Sequence, residues 1–451
     1  MELSMSRAIE VVVAIALLVL TMGSDRAARA EPMDVAALLT AAHGAPPLIC
    51  AFAARAVDNG WGNWTDAPST PLMAFDVERN RGVRHTEFTP ADEDRLLAGL
   101  TVDDPCVREL SVRLLGGQRN DRVAGALVSR LESTDASLRA LAAFGLGLVE
   151  PPSAVNPLIK ALGDATPGVR ANSAWALGHI EDGRALAPLV QRFRDDDVTV
   201  REAAVAAVGR MDSTSAVGAL TRVVQQDASP DVRRVAAWAL GNLESRESAG
   251  ALATVLGRDT DARVRETSAW ALGNMEASAA SSALEAALAH DADDRVRETA
   301  AWALGQVGNA SAVDALGAAA ESDKSSRVRG TAAWAIGQLE RHSGRAVVGL
   351  QHVLKDEDDD SRLKAAWALG QIGDSTALPA IRDALKAEHN DEVRRALIRA
   401  LVKSGGRSER ALTELLSSPD ATVREAAVRG LAGNDAFGPW PMPEPRPRPF
   451  P

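Results

Sequence analysis

Residues 231–242 read DVRRVAAWALGN, and close copies of this string recur along most of the chain. The hydrophobic residue that opens each copy falls at Val107, Leu138, Val169, Val200, Val232, Val264, Val296, Val328, Val393 and Val423, with Ser361 in the same place in one more copy. Successive copies lie 30 to 33 residues apart. Self-similarity at such a period is the signature of a repeat array. Eleven repeats, from about Thr101 to Asn434, fill roughly three-quarters of the chain.

Each repeat reads as two helices. The first is a stretch such as SAVGALTRVVQQD (215–227), with apolar residues at helical spacing. An Asp-rich turn follows, as at Asp227 to Asp231 or Asp291 to Asp294. An Asp there accepts hydrogen bonds from the free N–H groups of the next helix and suits its dipole. The second helix carries the quoted string. Its glycine lies inside the helix, where it costs about 1 kcal/mol relative to Ala. A close approach of a neighbouring helix is the usual reason for such a residue. One repeat alone cannot bury its apolar face, so neighbours must stack and share a continuous core. The Asp runs, including Asp356 to Asp360, lack the Asp-x-Asp-x-Asp-Gly…Glu arrangement of a calcium loop and read as solvated turns.

The D-x-x-V-R-x-x-A-A-W-A-L-G string resembles the HEAT-like repeats of phycobilisome-lyase-type proteins. The resemblance implies an all-α, right-handed α-solenoid of about eleven two-helix repeats. Worn copies at both ends suit caps, and the stretch PPLICAFAARAV (46–57) looks like a further worn second helix in an N-terminal helical cap.

Residues advance about 100° per step along a helix. Counting from the hydrophobic residue of each copy, positions +4, +7, +8 and +11 point toward the core. Position +6 lies about 240° around, and it holds Trp175, Trp238, Trp270, Trp302, Trp334 and Trp367. Position +10, one turn on, holds His179, Asn242, Asn274, Gln306, Gln338 and Gln371. Position +3 adds Thr267, Thr299 and Thr331. In HEAT-like arrays the second helix lines the concave surface. The Trp-x-x-x-Asn spacing is similar to the peptide-binding ladder of armadillo repeats, where by resemblance the amide bonds the backbone of an extended peptide and Trp flanks its side chains. An amide offers a donor and an acceptor, as a peptide unit does. Indole supplies flat apolar area with a polar edge. Two readings stay open: a partner-binding ladder, or tryptophans packed against the next second helix. Armadillo repeats are longer, so the pitch of the two ladders differs.

The remainder of the chain sets the context. Arg7 precedes an apolar run, Val11 to Met22, too short to span a membrane, which needs roughly 20 residues. Ala28-Arg29-Ala30 then supplies a small-x-small cleavage pattern. These features predict a signal peptide over 1–30 and a periplasmic or secreted protein; a retained anchor is the alternative. Residues 31–100 are expected to form the helical cap and an ordered loop, pinned by Trp61 and Trp64. Cys50 and Cys106 either form a disulfide or are two small buried residues. From Pro439 to Pro451 every second residue is Pro, which predicts an extended arm within the tail 435–451. Arginine outnumbers lysine and alanine is abundant, a usage pointing to a bacterium.

The net charge of −11 argues against a general nucleic-acid binder, which needs a basic face. No His-x-x-His, His-Glu-x-x-His, phosphate loop or nucleophile motif occurs. The chain also lacks the His-Glu dipeptide by which some HEAT-like hydroxylases bind iron. The sequence therefore predicts a scaffold without catalytic or metal residues and without a cofactor. It would bind a protein or extended peptide, its own Pro-rich tail included. A phycobilin-lyase-like or oxidoreductase role is the alternative that the resemblance implies.

Overall fold

The computed structural model describes residues 33–45, 50, 88–339 and 343–405, with scattered positions between 413 and 428. The predicted signal peptide, most of the second cap helix, Trp61, Trp64 and the Pro-rich tail lie outside the described residues. Twenty-one α-helices and no strands occur among the described residues, an all-α solenoid. The chain divides into two compact units, one reaching Ala216 and one starting at Val217.

The N-terminal unit holds α1 (Val35–Ala42), α2 (Pro90–Gly99), α3 (Pro105–Gly116), α4 (Asp121–Arg130), α5 (Ala136–Val149), α6 (Val155–Ala161), α7 (Pro167–Ile180), α8 (Leu186–Gln191) and α9 (Val198–Arg210). Helix α2 packs on α3, so it is the first helix of a repeat whose second helix is α3, and the array reaches back to Pro90. The second helices α3, α5, α7 and α9 then pack each on the next. Helix α1 covers the free edge of α2 and α3. A disulfide joins Cys50 to Cys106 of α3, with a Cα–Cα distance of 5.4 Å.

The C-terminal unit repeats the plan. Its first helices are α10 (Val217–Gln226), α12 (Ala249–Arg258), α14 (Ser281–His290), α16 (Val313–Ser322), α18 (Gly344–Val353) and α20 (Leu378–Ala387). Its second helices are α11 (Pro230–Asn242), α13 (Ala262–Asn274), α15 (Asp294–Val307), α17 (Ser326–Gln338), α19 (Asp359–Ile372) and α21 (Asp391–Gly405). The core seam is the row of residues that opens each copy: Val232, Val264, Val296 and Val328 are wholly buried. So are the leucines Leu240, Leu272 and Leu304.

Turn aspartates start the second helices as their chemistry requires. Asp135, Asp261 and Asp293 each accept the N–H two residues on, from Ser137, Arg263 and Arg295. A different set of acidic residues does something the sequence reading missed. In most copies the arginine that follows the opening hydrophobic residue reaches into the next repeat. Arg297 donates from Nε and Nη2 to both oxygens of Asp323, at 2.8 and 3.0 Å, and from Nη1 to the Asp291 carbonyl at 2.9 Å. Arg233 holds Asp259 in the same way, Arg265 holds Asp291, and Arg362 holds Glu388. In the N-terminal unit Arg139 holds Asp164 and Arg170 holds Asp195. Each carboxylate also accepts the N–H of its own turn, as Asp323 does from Ser325. The clamp thus pins one repeat's turn to the next. Bidentate guanidinium–carboxylate pairs are among the strongest polar contacts a chain can make.

Candidate functional site

The predicted row of tryptophans is present in register, yet most of it faces inward. Trp334 is 1% exposed, Trp302 4%, Trp175 6% and Trp367 9%, while Trp238 and Trp270 are half-buried. The glycine inside the preceding second helix explains this. A Cβ on Gly273 would lie 2.7 Å from Cζ3 of Trp302, and one on Gly305 would lie 3.0 Å from Cζ3 of Trp334. Gly241 stands the same way toward Trp270, Gly147 toward Trp175 and Gly337 toward Trp367. Each indole therefore fills the hollow that its neighbour's glycine leaves open. The helical wheel placed position +6 off the centre of the core stripe, which is correct for one helix. Within each unit the second helices pack one on the next, and that flank is where +6 points. The four buried indoles are accordingly interior residues, and the outward row expected of them does not form.

The threonines depart further. Thr267, Thr299 and Thr331 are buried at 0–1% exposure. Position +3, at about 300°, lies only about 20° from the amides at +10, so the wheel alone does not separate the two rows; the threonines stand two turns earlier, in the first turns of the helix, and are buried there. Thr267 donates its hydroxyl to the Arg263 carbonyl at 2.8 Å, closing its polar group on its own helix.

The amides behave as a surface row. Asn242, Asn274, Gln338 and Gln371 are exposed and Gln306 is half-exposed. Asn274 donates from Nδ2 to the Gly241 carbonyl on the preceding second helix, at 3.1 Å. Gln371 accepts from Lys403 at 3.1 Å. His179 holds this register in the N-terminal unit but is nearly sealed. Its ring lies 4.3 Å from that of Trp175, and its Nε2 is buried without a hydrogen-bond partner. Burial and the nearby Arg210 push its pKa down to about 3, so the ring is neutral. Phe144 also stacks on Trp175, with ring centroids 5.0 Å apart, and the Arg113 guanidinium lies 5.5 Å from the Phe144 centroid.

Two glutamates that sequence reasoning did not single out border the amide row. Glu266 and Glu298 sit at position +2, one helical turn before Trp270 and Trp302, and are half-buried. Burial pushes both carboxyls up, against the pull of Arg295 on Glu266 and of Arg327 on Glu298. Arg327 lies 3.8 Å from Glu298. The signal was available in the sequence: an acid four residues before the tryptophan, on the same face. Among the described residues no group of three or more His, Cys, Asp or Glu side chains is placed to hold a metal ion.

The HEAT repeat family matches residues 125–209, 188–273, 217–305, 281–348 and 347–432. The chain belongs to this family. No curated protein matches it. Among solved structures, this HEAT repeat chain is similar to importin beta, with a TM-score of 0.60 at 13% identity over 89% of this chain and 58% of that one. It is also similar to Kap95 in its complex with Nup1, with a TM-score of 0.56 at 13% identity over 93% and 68%. The CpcE–CpcF phycocyanin lyase of Nostoc matches 51% of the chain and 92% of its own at 24% identity, with a TM-score of 0.33. At 13% identity the likenesses to importin beta and Kap95 show the fold alone. A HEAT solenoid commonly serves protein–protein interaction.

Proposed function

We propose that this HEAT repeat protein is a non-enzymatic scaffold outside the cytoplasm that binds an extended peptide or partner surface along its second helices. The observation that carries this reading is the row of outward amides, one per repeat, at Asn242, Asn274, Gln306, Gln338 and Gln371. Each can meet a peptide unit with a donor and an acceptor. Trp238 and Trp270, half-buried, add apolar area beside it. Trp302, Trp334 and Trp367 serve the site indirectly, by fixing the spacing at which the amides of the C-terminal unit stand. The Cys50–Cys106 disulfide supports an oxidising compartment, because such bonds persist mainly outside the cytosol.

A random-peptide display library panned on the protein tests the reading, with a synthetic peptide of residues 439–451 as a second probe. Selected peptides should bind the wild type and lose at least tenfold in affinity for an Asn274→Ala, Gln306→Ala, Gln338→Ala triple variant. The far-UV circular dichroism of that variant should match the wild type. Peptides that bind both forms equally would refute the amide row as the site. Binding of the 439–451 peptide with the same loss would make the chain's own tail an occupant.

A further inference from the structure

Helix α1 is eight residues long, below the length at which a helix holds together by itself. Its described contacts are few. Val35, Leu38 and Ala42 are buried, and Ala42 shares a small apolar cluster with Cys106, Val107 and Leu110 of α3, joined by Leu39, Ala45 and Cys50. Two devices supplement that packing. Asp104, itself buried, accepts the Gly44 N–H at 2.7 Å on one oxygen and the Cys106 and Val107 N–H groups at 2.9 and 3.1 Å on the other. The same carboxylate is 3.3 Å from His43 Nδ1. The disulfide joins cysteines separated by 56 positions in the sequence, and cross-links over long loops remove the most freedom from an opened state.

We propose that the Cys50–Cys106 disulfide is a redox latch: oxidised, it holds α1 over the first edge of the array, and reduced, it lets α1 leave and uncovers the Cys106, Val107 and Leu110 face. The reductant is a dithiol. Its thiolate attacks the half-buried Cys50 sulfur, because Cys106 is 4% exposed. The S–S bond breaks, a mixed disulfide forms on Cys50, and Cys106 leaves as a thiolate that takes a proton from water. The dithiol's second thiolate then displaces Cys50, which is also protonated, and the dithiol ends as its own disulfide. Two electrons and two protons pass to the chain. The leaving sulfur sits in the first turn of α3.

Amide hydrogen exchange with and without dithiothreitol tests the latch on the whole protein. Reduction should lower protection of the α1 amides at least tenfold, leave α5 and α7 unchanged, and raise the fluorescence of an added anilinonaphthalene sulfonate dye. A Cys50→Ser, Cys106→Ser double variant should resemble the reduced protein and ignore dithiothreitol. Unchanged α1 protection on reduction would overturn the proposal. So would a loss spread equally over α1, α5 and α7, which would mean that the bond merely stabilises the whole unit.

Discussion

Gly337 and Gly370 hold the same place in two consecutive second helices, α17 and α19, and meet different neighbours. Above Gly337 stands the Trp367 indole, so close that no Cβ fits, with the Ala368 backbone 3.0 Å from where one would lie. Above Gly370 there is no indole: position +6 of the next repeat is Arg399, and the nearest atom is Ala400 Cα at 3.3 Å. The two joints share the arginine clamp, Arg329 on Asp356 and Arg362 on Glu388. They differ in what fills the hollow. At these two joints the glycine is required where an indole arrives one repeat later and has more room where none does; at Gly178, which faces no indole, the Ala207 backbone 2.6 Å from a would-be Cβ closes the space instead.

The strongest way to break this comparison is Trp367→Ala. It should cost about 3–5 kcal/mol, the range for emptying a buried aromatic site, read as a lower urea midpoint and lost exchange protection in α17 and α19. A cost under about 1 kcal/mol would mean that the indole is not holding the joint.

The clamp comes next. Arg329→Gln leaves Asp356, whose side chain is 1% exposed, without its cation. Removing one partner of a buried pair costs about 3–5 kcal/mol, and the residual exposure of Arg329 puts this joint at the lower end of that range. Burial pushes the Asp356 carboxyl up, but the hydrogen bonds from Arg329 and the Asp358 N–H outweigh it and hold it below its usual value. A carboxyl depressed in the folded state lends stability above its unfolded pKa, and that stability disappears as pH falls through the folded one. The penalty of Arg329→Gln should accordingly be full at pH 7 and shrink on acidification below about pH 4. A pH-independent penalty would separate the clamp from charge.

The glycines themselves give the sharpest contrast. Gly337→Ala should destabilise by about 1–3 kcal/mol through overpacking. Gly370→Ala should be near neutral, with the gain of up to about 1 kcal/mol in helix propensity set against a small shift of Ala400. Equal costs at both sites would remove the indole as the reason for the glycine.

The smallest effect belongs to a half-buried residue of the second helix α15. Glu298→Gln should stabilise the chain by under about 1 kcal/mol at pH 7. Its carboxyl is raised in the folded state, so the stability it lends is present below its unfolded pKa and lost as pH rises through the folded one. The gain should therefore vanish near pH 3.5, and urea melts at the two pH values would show it.

Much of this is legible in the sequence alone. The period, the two helices per repeat and the inward stripe of Val232, Ala236 and Leu240 follow from spacing alone, because helical geometry repeats every 3.6 residues whatever the context. At +10 Asn242, Asn274, Gln338 and Gln371 are exposed, whereas His179 in the same register is packed against Trp175, a difference that the spacing does not reveal. The tryptophans at +6 were read as one helix presents them, and an isolated helix has no neighbour. Arg297 and Asp323 were visible as residues but not as a pair, since a contact between repeats has no local signature beyond its own recurrence.

By itself the sequence determined the repeat, its length and which face of each helix is oily, because these depend on residues close along one helix. Tertiary structure alone decided that the indoles of Trp302 and Trp334 turn inward onto Gly273 and Gly305 and that arginines clasp the next turn. Those outcomes depend on how far apart stacked helices settle, and that distance is set by both sides of each joint at once.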